Sequence, residues 1–291
     1  MMNNGILLVD KPEGITSNNL VLELKKHFNI SKAGHTGTLD YSASGLMIIT
    51  LGKATKFTEY FQKLDKEYIT IGKLGEITDT YDREGKVIEK IECEVSESDI
   101  KKVVYSFIGS YPQIPPPFSS KRIKGKRAYQ LAKRGLKPEL KPVVVNIYDI
   151  EILNINFPYF EIKVECSSGT YIRSLVKDIG DKLNCGAYVY SLRRTKIGLF
   201  NVKDAKGLEE ILRMPLEEVQ KLIIPLEKAL YFFPEIKLDE EYDLRFIYGQ
   251  RFKIPYNIKG LAKVFSSQNK FLGIGEIKEN RILQPLKVIK D

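Results

Sequence analysis

Residues 32–45 place an imidazole and a carboxylate, His35 and Asp40, five positions apart among Gly34, Gly37, Gly45 and small Ser, Thr and Ala side chains. A carboxylate with a reference pKa of about 3.9 is ionised at neutral pH and ready to act as a nucleophile. The same residue types also suit a surface turn in which Asp40 caps backbone amides and His35 is solvated, and residue type alone leaves both open. Further along, Arg173 lies three residues after Thr170, a fitting helix N-cap. That position sets a cation against the helix dipole, at a cost of a few tenths to about 1 kcal/mol, unless an anion answers it. From Lys121 to Lys137, eight cations and no acid fall in 17 residues. Lys121, Arg122, Lys124, Lys126 and Arg127 form its dense first half, which suits a phosphate backbone better than a merely solvated face.

The elements that must hold these groups follow from periodicity. Residues 6–9 read as an opening strand. Thr16 or Ser17 can cap a helix whose apolar stripe is Leu20, Val21, Leu24 and Phe28. Residues 32–45 read as a loop, residues 46–51 as a strand and residues 54–64 as an amphipathic helix. Residues 68–74 alternate like a strand, with Tyr68 and Thr70 on one face and Ile69 and Ile71 on the other. On pattern alone Tyr68 is an ordinary core aromatic. A helix starts near Ser96 and runs to about Ile108. Pro112, Pro115, Pro116 and Pro117 exclude helix or central strand over 111–118. Two long strands are expected over 143–155 and 159–166, a helix over 170–183, a strand over 187–192 and helical fragments over 208–230. From about Ile236 short apolar segments broken by Gly and Asn suggest a small β domain. The expected class is α+β with a mainly antiparallel sheet, divided into a catalytic domain over 1–232 and a second domain over 233–291.

Composition narrows the function. The 291 residues are 43% hydrophobic, enough for a real core, which excludes disorder as the main state. Forty-six Lys and Arg against 37 Asp and Glu leave a charge of +9, the signature of a polyanionic partner. No run approaches the roughly 18 apolar residues of a membrane span, and the start lacks a secretion signal, so a cytoplasmic protein is expected. Two histidines and three widely spaced cysteines are too few for a catalytic metal, and neither a disulfide nor structural zinc is expected. No phosphate-binding or dinucleotide-binding glycine motif occurs.

The loop resembles the G-H-T-G-[TA]-L-D-P-L-A-[ST]-G motif of the TruB family of tRNA pseudouridine synthases. Further blocks are similar in the family's order: Gly5 to Pro12 with Gly14, Thr16 and Ser17; Lys53 to Lys56; Lys66 to Tyr68; and Gly75 to Asp82. Gln113 to Ser119 with Lys121, Gly125 and Tyr129, Cys166 to Arg173, Gly186 to Val189 and Leu192 to Thr195 complete the set. One departure stands beside the aspartate, where Tyr41-Ser42 replaces the usual Pro-Leu. Losing Pro removes a fixed φ and losing Leu an apolar contact.

The resemblance implies the pseudouridine synthase fold, a C-terminal PUA-like RNA-binding domain, and isomerisation of the T-arm loop uridine at position 55 of tRNA. It makes Asp40 the nucleophile and Arg173 its ion-pair partner inside a closed pocket. Tyr68 then stacks on the base and takes up a proton, Tyr171 and Leu192 line the uridine pocket, and His35 fills the gap left by the flipped base. Such chemistry involves no redox change or phosphoryl transfer, so neither cofactor nor metal is implied. The partner is tRNA, with no membrane involved. Nothing in the sequence demands a dimer, so a monomer is expected. The alternatives are a synthase for another RNA, and a non-catalytic RNA-binding protein of the same fold.

Overall fold

β-Branched and leucine-rich segments build one central sheet in the computed structural model, which describes residues 4–119, 122–123, 126–127 and 140–289. Its strands are β1 (Gly5–Lys11), β2 (Ala33–His35), β3 (Ser44–Leu51), β4 (Lys66–Leu74), β7 (Gly109–Gln113), β10 (Val143–Asn156), β11 (Tyr159–Cys166) and β12 (Ala187–Ile197). Two small hairpins supply β5 (Glu76–Thr78) with β6 (Val87–Lys90), and β8 (Arg122–Ile123) with β9 (Lys126–Arg127). The short β13 (Phe200–Asn201), β14 (Lys206–Gly207) and β15 (Ile224–Pro225) join the central sheet at β12 and β1. Its order is β14-β1-β3-β12-β4-β11-β10-β7, antiparallel except for β1 with β14 and β12 with β3. The class is therefore α+β with a mainly antiparallel sheet, as expected.

The helices are α1 (Ser17–His27), α2 (Thr58–Gln62), α3 (Glu97–Tyr105) and α4 (Ile172–Lys182), with further short ones over 208–229 and at Glu240–Ile247. Thr16 caps α1 by accepting from the Asn19 amide, and Leu20, Val21 and Leu24 are buried beneath it. A reciprocal Ser96–Asp99 capping box starts α3. Pro112 lies in β7, which among the described residues pairs only with β10, at the edge of the sheet, where a missing donor is tolerated. A second sheet, β16 (Glu235–Lys237), β17 (Phe252–Lys253), β18 (Gly260–Phe265), β19 (Phe271–Ile277) and β20 (Ile282–Val288), has its own core around Phe246, Val264 and Leu283. It also leans on the first body. Ile274 is buried in one cluster with Ile6, Leu46 and Phe57, and Lys287 pairs with Glu59 at 2.9 Å.

Several expectations need correction. The loop over 32–45 contains β2, which pairs with β3. The helix expected over 54–64 is a 3-10 segment, Gly52–Phe57, followed by α2. The helix expected to reach Ile108 ends at Tyr105. The last long strand continues five residues past Leu192, to Ile197. Thr170 does not cap α4, because its hydroxyl donates to the Ser167 carbonyl and Tyr171 holds the cap position.

The cysteine expectation also fails: Cys93 and Cys185 form a disulfide across 92 residues of sequence. The fold makes it possible. The Gly75 amide reaches the Cys185 carbonyl at 3.2 Å while the Gly75 carbonyl accepts from Ile91, so the turn after α4 meets the chain leaving β6. Spacing in sequence carries no trace of that meeting. A cross-link closing so long a loop restricts the unfolded chain, an effect of about 2–5 kcal/mol. Reduction, or Cys185→Ser, is expected to lower the urea midpoint correspondingly. An unchanged midpoint would show the bond to be thermodynamically idle.

Candidate active site

The site forms where irregular chain enters β3 and crosses the start of β4 and the middle of β12. Asp40 follows β2, in the connection that enters β3. Arg173 is the second residue of α4 and is 5% exposed. Its Nε lies 2.9 Å from Asp40 Oδ2 and its Nη2 donates to Asp40 Oδ1 at 3.2 Å, a two-point fork. Nη1 donates to the Thr80 carbonyl and Nη2 to the Phe118 carbonyl, both at 2.9 Å, and Nη1 is 3.4 Å from Asp82 Oδ2. Two carboxylates and two carbonyls outweigh the dipole cost of a cation in the first helical turn, since a hydrogen bond to a charged group contributes about 1.5–3 kcal/mol.

Asp82 is 7% exposed and is itself fixed by the Thr80 hydroxyl at 2.7 Å and the Glu84 amide at 3.0 Å. Asp40 differs: its side chain is 38% exposed, so the expected closed pocket is open on the carboxylate's side. The opening gives onto a cleft of about 570 Å³, within the range of small-ligand sites. His35, Asp40, Tyr68, Tyr171, Arg173 and Leu192 all line it, together with Arg194.

Strand register explains the wall opposite Asp40. β12 pairs with β4 so that Leu192 faces Thr70 and Arg194 faces Tyr68. Arg194 is 2% exposed, and its Nε and Nη2 donate to the carbonyls of Leu46 and Gly37 at 2.8 and 3.1 Å. Its backbone passes so close to Gly45 that a Cβ there would meet the Arg194 carbonyl oxygen at 2.2 Å; Gly45 also has φ +110°. Only glycine lets the Asp40 loop enter β3 at that point. Burial pushes the Tyr68 hydroxyl pKa upward, with the Arg194 guanidinium acting against that shift. Burial lowers His35, and Arg194 adds to it, so the ring is neutral at pH 7; its Nε2 lies 3.2 Å from Asn18 Oδ1. Lys11 and Lys66, each capped by backbone carbonyls, are lowered by burial to about 8.

Of the basic run, Lys121 and Lys124 lie outside the described residues, while Arg122, Lys126 and Arg127 are described only as backbone of the β8–β9 pair. Sequence reasoning gave no role to Asp82 or Arg194. Both stood inside matching blocks, but nothing in a charged residue on an alternating strand or turn signals that it is buried. Among the described residues no cluster of His, Cys, Asp and Glu could hold a metal, and no helix is long and apolar enough to cross a membrane.

A mixed sheet thus presents an open aspartate, forked by a buried arginine, in a cleft of about 570 Å³, an arrangement that fits nucleophilic chemistry on a small bound group. The model described as TruB family pseudouridylate synthase, N-terminal domain, matches residues 25–172, and two TruB C-terminal models match 173–231 and 234–289. The tRNA pseudouridine synthase B of Aquifex aeolicus is 43% identical over 289 residues, covering 98% of this chain and 99% of the relative. That of Clostridium kluyveri is 42% identical, covering 95% and 96%. Among solved structures, a chain of an H/ACA RNP bound to a substrate RNA containing 2'-deoxyuridine superposes with a TM-score of 0.75 at 25% identity, covering 99% of this chain and 85% of that one. A chain of a Cbf5-Nop10-Gar1 complex gives 0.75 at 26%, covering 99% and 84%. The chain belongs to the TruB family of pseudouridylate synthases.

Proposed function

We propose that this enzyme converts the T-arm loop uridine at position 55 of tRNA to pseudouridine. The observation that carries the reading is the Asp40–Arg173 fork, open to a cleft of nucleoside size. The relatives' shared name, tRNA pseudouridine synthase B, supports the substrate class. The uridine leaves its stack, and His35 occupies the space it vacates. Asp40, oriented by the Arg173 fork, is the nucleophile of glycosidic cleavage. The base then rotates between Tyr68, Tyr171 and Leu192. The bond from C1' to N1 is replaced by one from C1' to C5, the proton of C5 is lost and N1 gains one. Tyr68 stacks on the base and takes up the C5 proton as its own hydroxyl proton passes to solvent, from which N1 is protonated. Its hydroxyl is protonated at rest, and Arg194 lowers the cost of its ionisation.

The sheet formed by β16 to β20 acts as a PUA-like domain that holds the RNA toward its acceptor end, and the basic run grips phosphates. Affinity for T-arm RNA should therefore fall about 10³-fold between 50 and 200 mM salt if six of the eight cations reach phosphates. A flat response removes the basic run from the interface. The deciding experiment maps the modified nucleotide in tRNA transcripts treated with wild type and with Asp40→Asn. Pseudouridine at position 55 with wild type alone supports the reading. Modification elsewhere overturns the position, and binding without modification favours the non-catalytic alternative.

A further inference from the structure

We propose that Ser17 and Gln113 are positioning residues that register the Asp40–Arg173 pair by each gripping both polar groups of one neighbouring peptide residue. Both are 1% exposed. Ser17 Oγ accepts from the Leu39 amide and donates to the Leu39 carbonyl, each at 2.9 Å. Gln113 Oε1 accepts from the Tyr171 amide at 2.8 Å, and its Nε2 donates to the Tyr171 carbonyl at 3.1 Å. Leu39 directly precedes Asp40. Tyr171 is the cap of α4, two residues before Arg173, and no side chain caps it in the ordinary way.

Each grip is a β-bridge built from a side chain. A single hydrogen bond leaves a residue free to pivot, whereas engaging N–H and C=O together fixes its rotation as well as its place. Both grips act where regular structure is missing. The Asp40 turn is otherwise held by Ala43 donating to the Asp40 carbonyl and Gly14 donating to that of Tyr41, at 3.2 and 3.0 Å. The start of α4 is otherwise held by the Thr170 hydroxyl and amide, both on the Ser167 carbonyl, at 2.9 and 3.4 Å. The Gln113 side is extended by Ser174, whose hydroxyl donates to the Ile114 carbonyl at 2.7 Å, and by Arg173 itself on Phe118. Buried polar side chains cost desolvation unless fully bonded, and at both positions the bonds go to the peptide that aims a member of the pair. A misplacement of about 1 Å between reacting groups can cost about 10²-fold in rate.

This rests on the proposed roles of Asp40 and Arg173, but not on position 55. The test therefore counts tritium released from any uridine of a 5-tritiated tRNA transcript, in single turnover at saturating enzyme, alongside RNA affinity and thermal melting. Gln113→Leu and Ser17→Ala are each expected to slow release about 10- to 100-fold while the RNA Kd stays within threefold. Ser17→Thr, which keeps the hydroxyl, should recover most of the rate. If Gln113→Leu does not fold, the two Ser17 variants carry the test. The proposal is overturned if folded Ser17→Ala is within twofold of wild type. It is also overturned if its rate loss is matched by lost affinity or lost folded fraction, or if Ser17→Thr is as slow as Ser17→Ala. Wild-type enzyme that releases no tritium would instead defeat the catalytic reading itself.

Discussion

Asp40→Asn is expected to lower uridine isomerisation by at least about 10⁴-fold while leaving RNA binding within a few-fold of wild type. An amide of nearly the same shape keeps one oxygen for the Arg173 guanidinium, so the turn after β2 should hold. It carries no charge, however, and cannot attack a sugar or a base. The side chain is 38% exposed and takes no part in the core, so stability should change little. Tritium release and gel-shift affinity, measured on one preparation, separate these effects. Residual activity within tenfold of wild type would show that another group performs the attack.

The second large effect concerns the guanidinium. Arg173→Lys should cost about 10²–10³-fold in rate, comparable to the loss of a preorganised electrostatic contact. A lysine ammonium reaches one point in space. Arginine here meets Asp40 twice, the Thr80 and Phe118 carbonyls once each, and Asp82 at 3.4 Å. Lysine would leave some of these unmatched, including a carboxylate that is only 7% exposed. A melting temperature lowered together with the rate is therefore expected, because breaking a buried charge network costs a few kcal/mol. A variant unchanged in both would reduce the ion pair to a bystander.

What could be read beforehand was local. Thr16 caps α1 because a hydroxyl before an amphipathic stripe binds an amide three residues on. The face shared by Tyr68 and Thr70 follows from period-two alternation. What could not be read depends on partners distant in sequence. Ser17 looked like an alternative cap, yet it bonds a peptide 22 residues away. Thr170 looked like the cap of α4, but Gln113 holds that terminus from 58 residues away. Cys93 and Cys185 meet only because β5, β6 and the turn after α4 converge. Arg194, two residues past the expected strand end at Leu192, is buried because β12 runs on to Ile197 and is paired with both β4 and β3. The Tyr41-Ser42 departure suggested a looser turn. In that segment the Gly14 amide donates to the Tyr41 carbonyl and the Ala43 amide to that of Asp40, contacts between residues that no local pattern announces.

Ile274, at the centre of the C-terminal sheet, is fully buried among Ile6, Leu46 and Phe57 of the first body. A truncation before residue 233 would thus do more than delete a handle for RNA. It would strip the cover from aliphatic side chains beneath the first strand, and the shortened chain would be prone to self-association. Any fall in turnover by such a fragment would first have to be separated from aggregation before the missing piece could be credited with grasping nucleic acid.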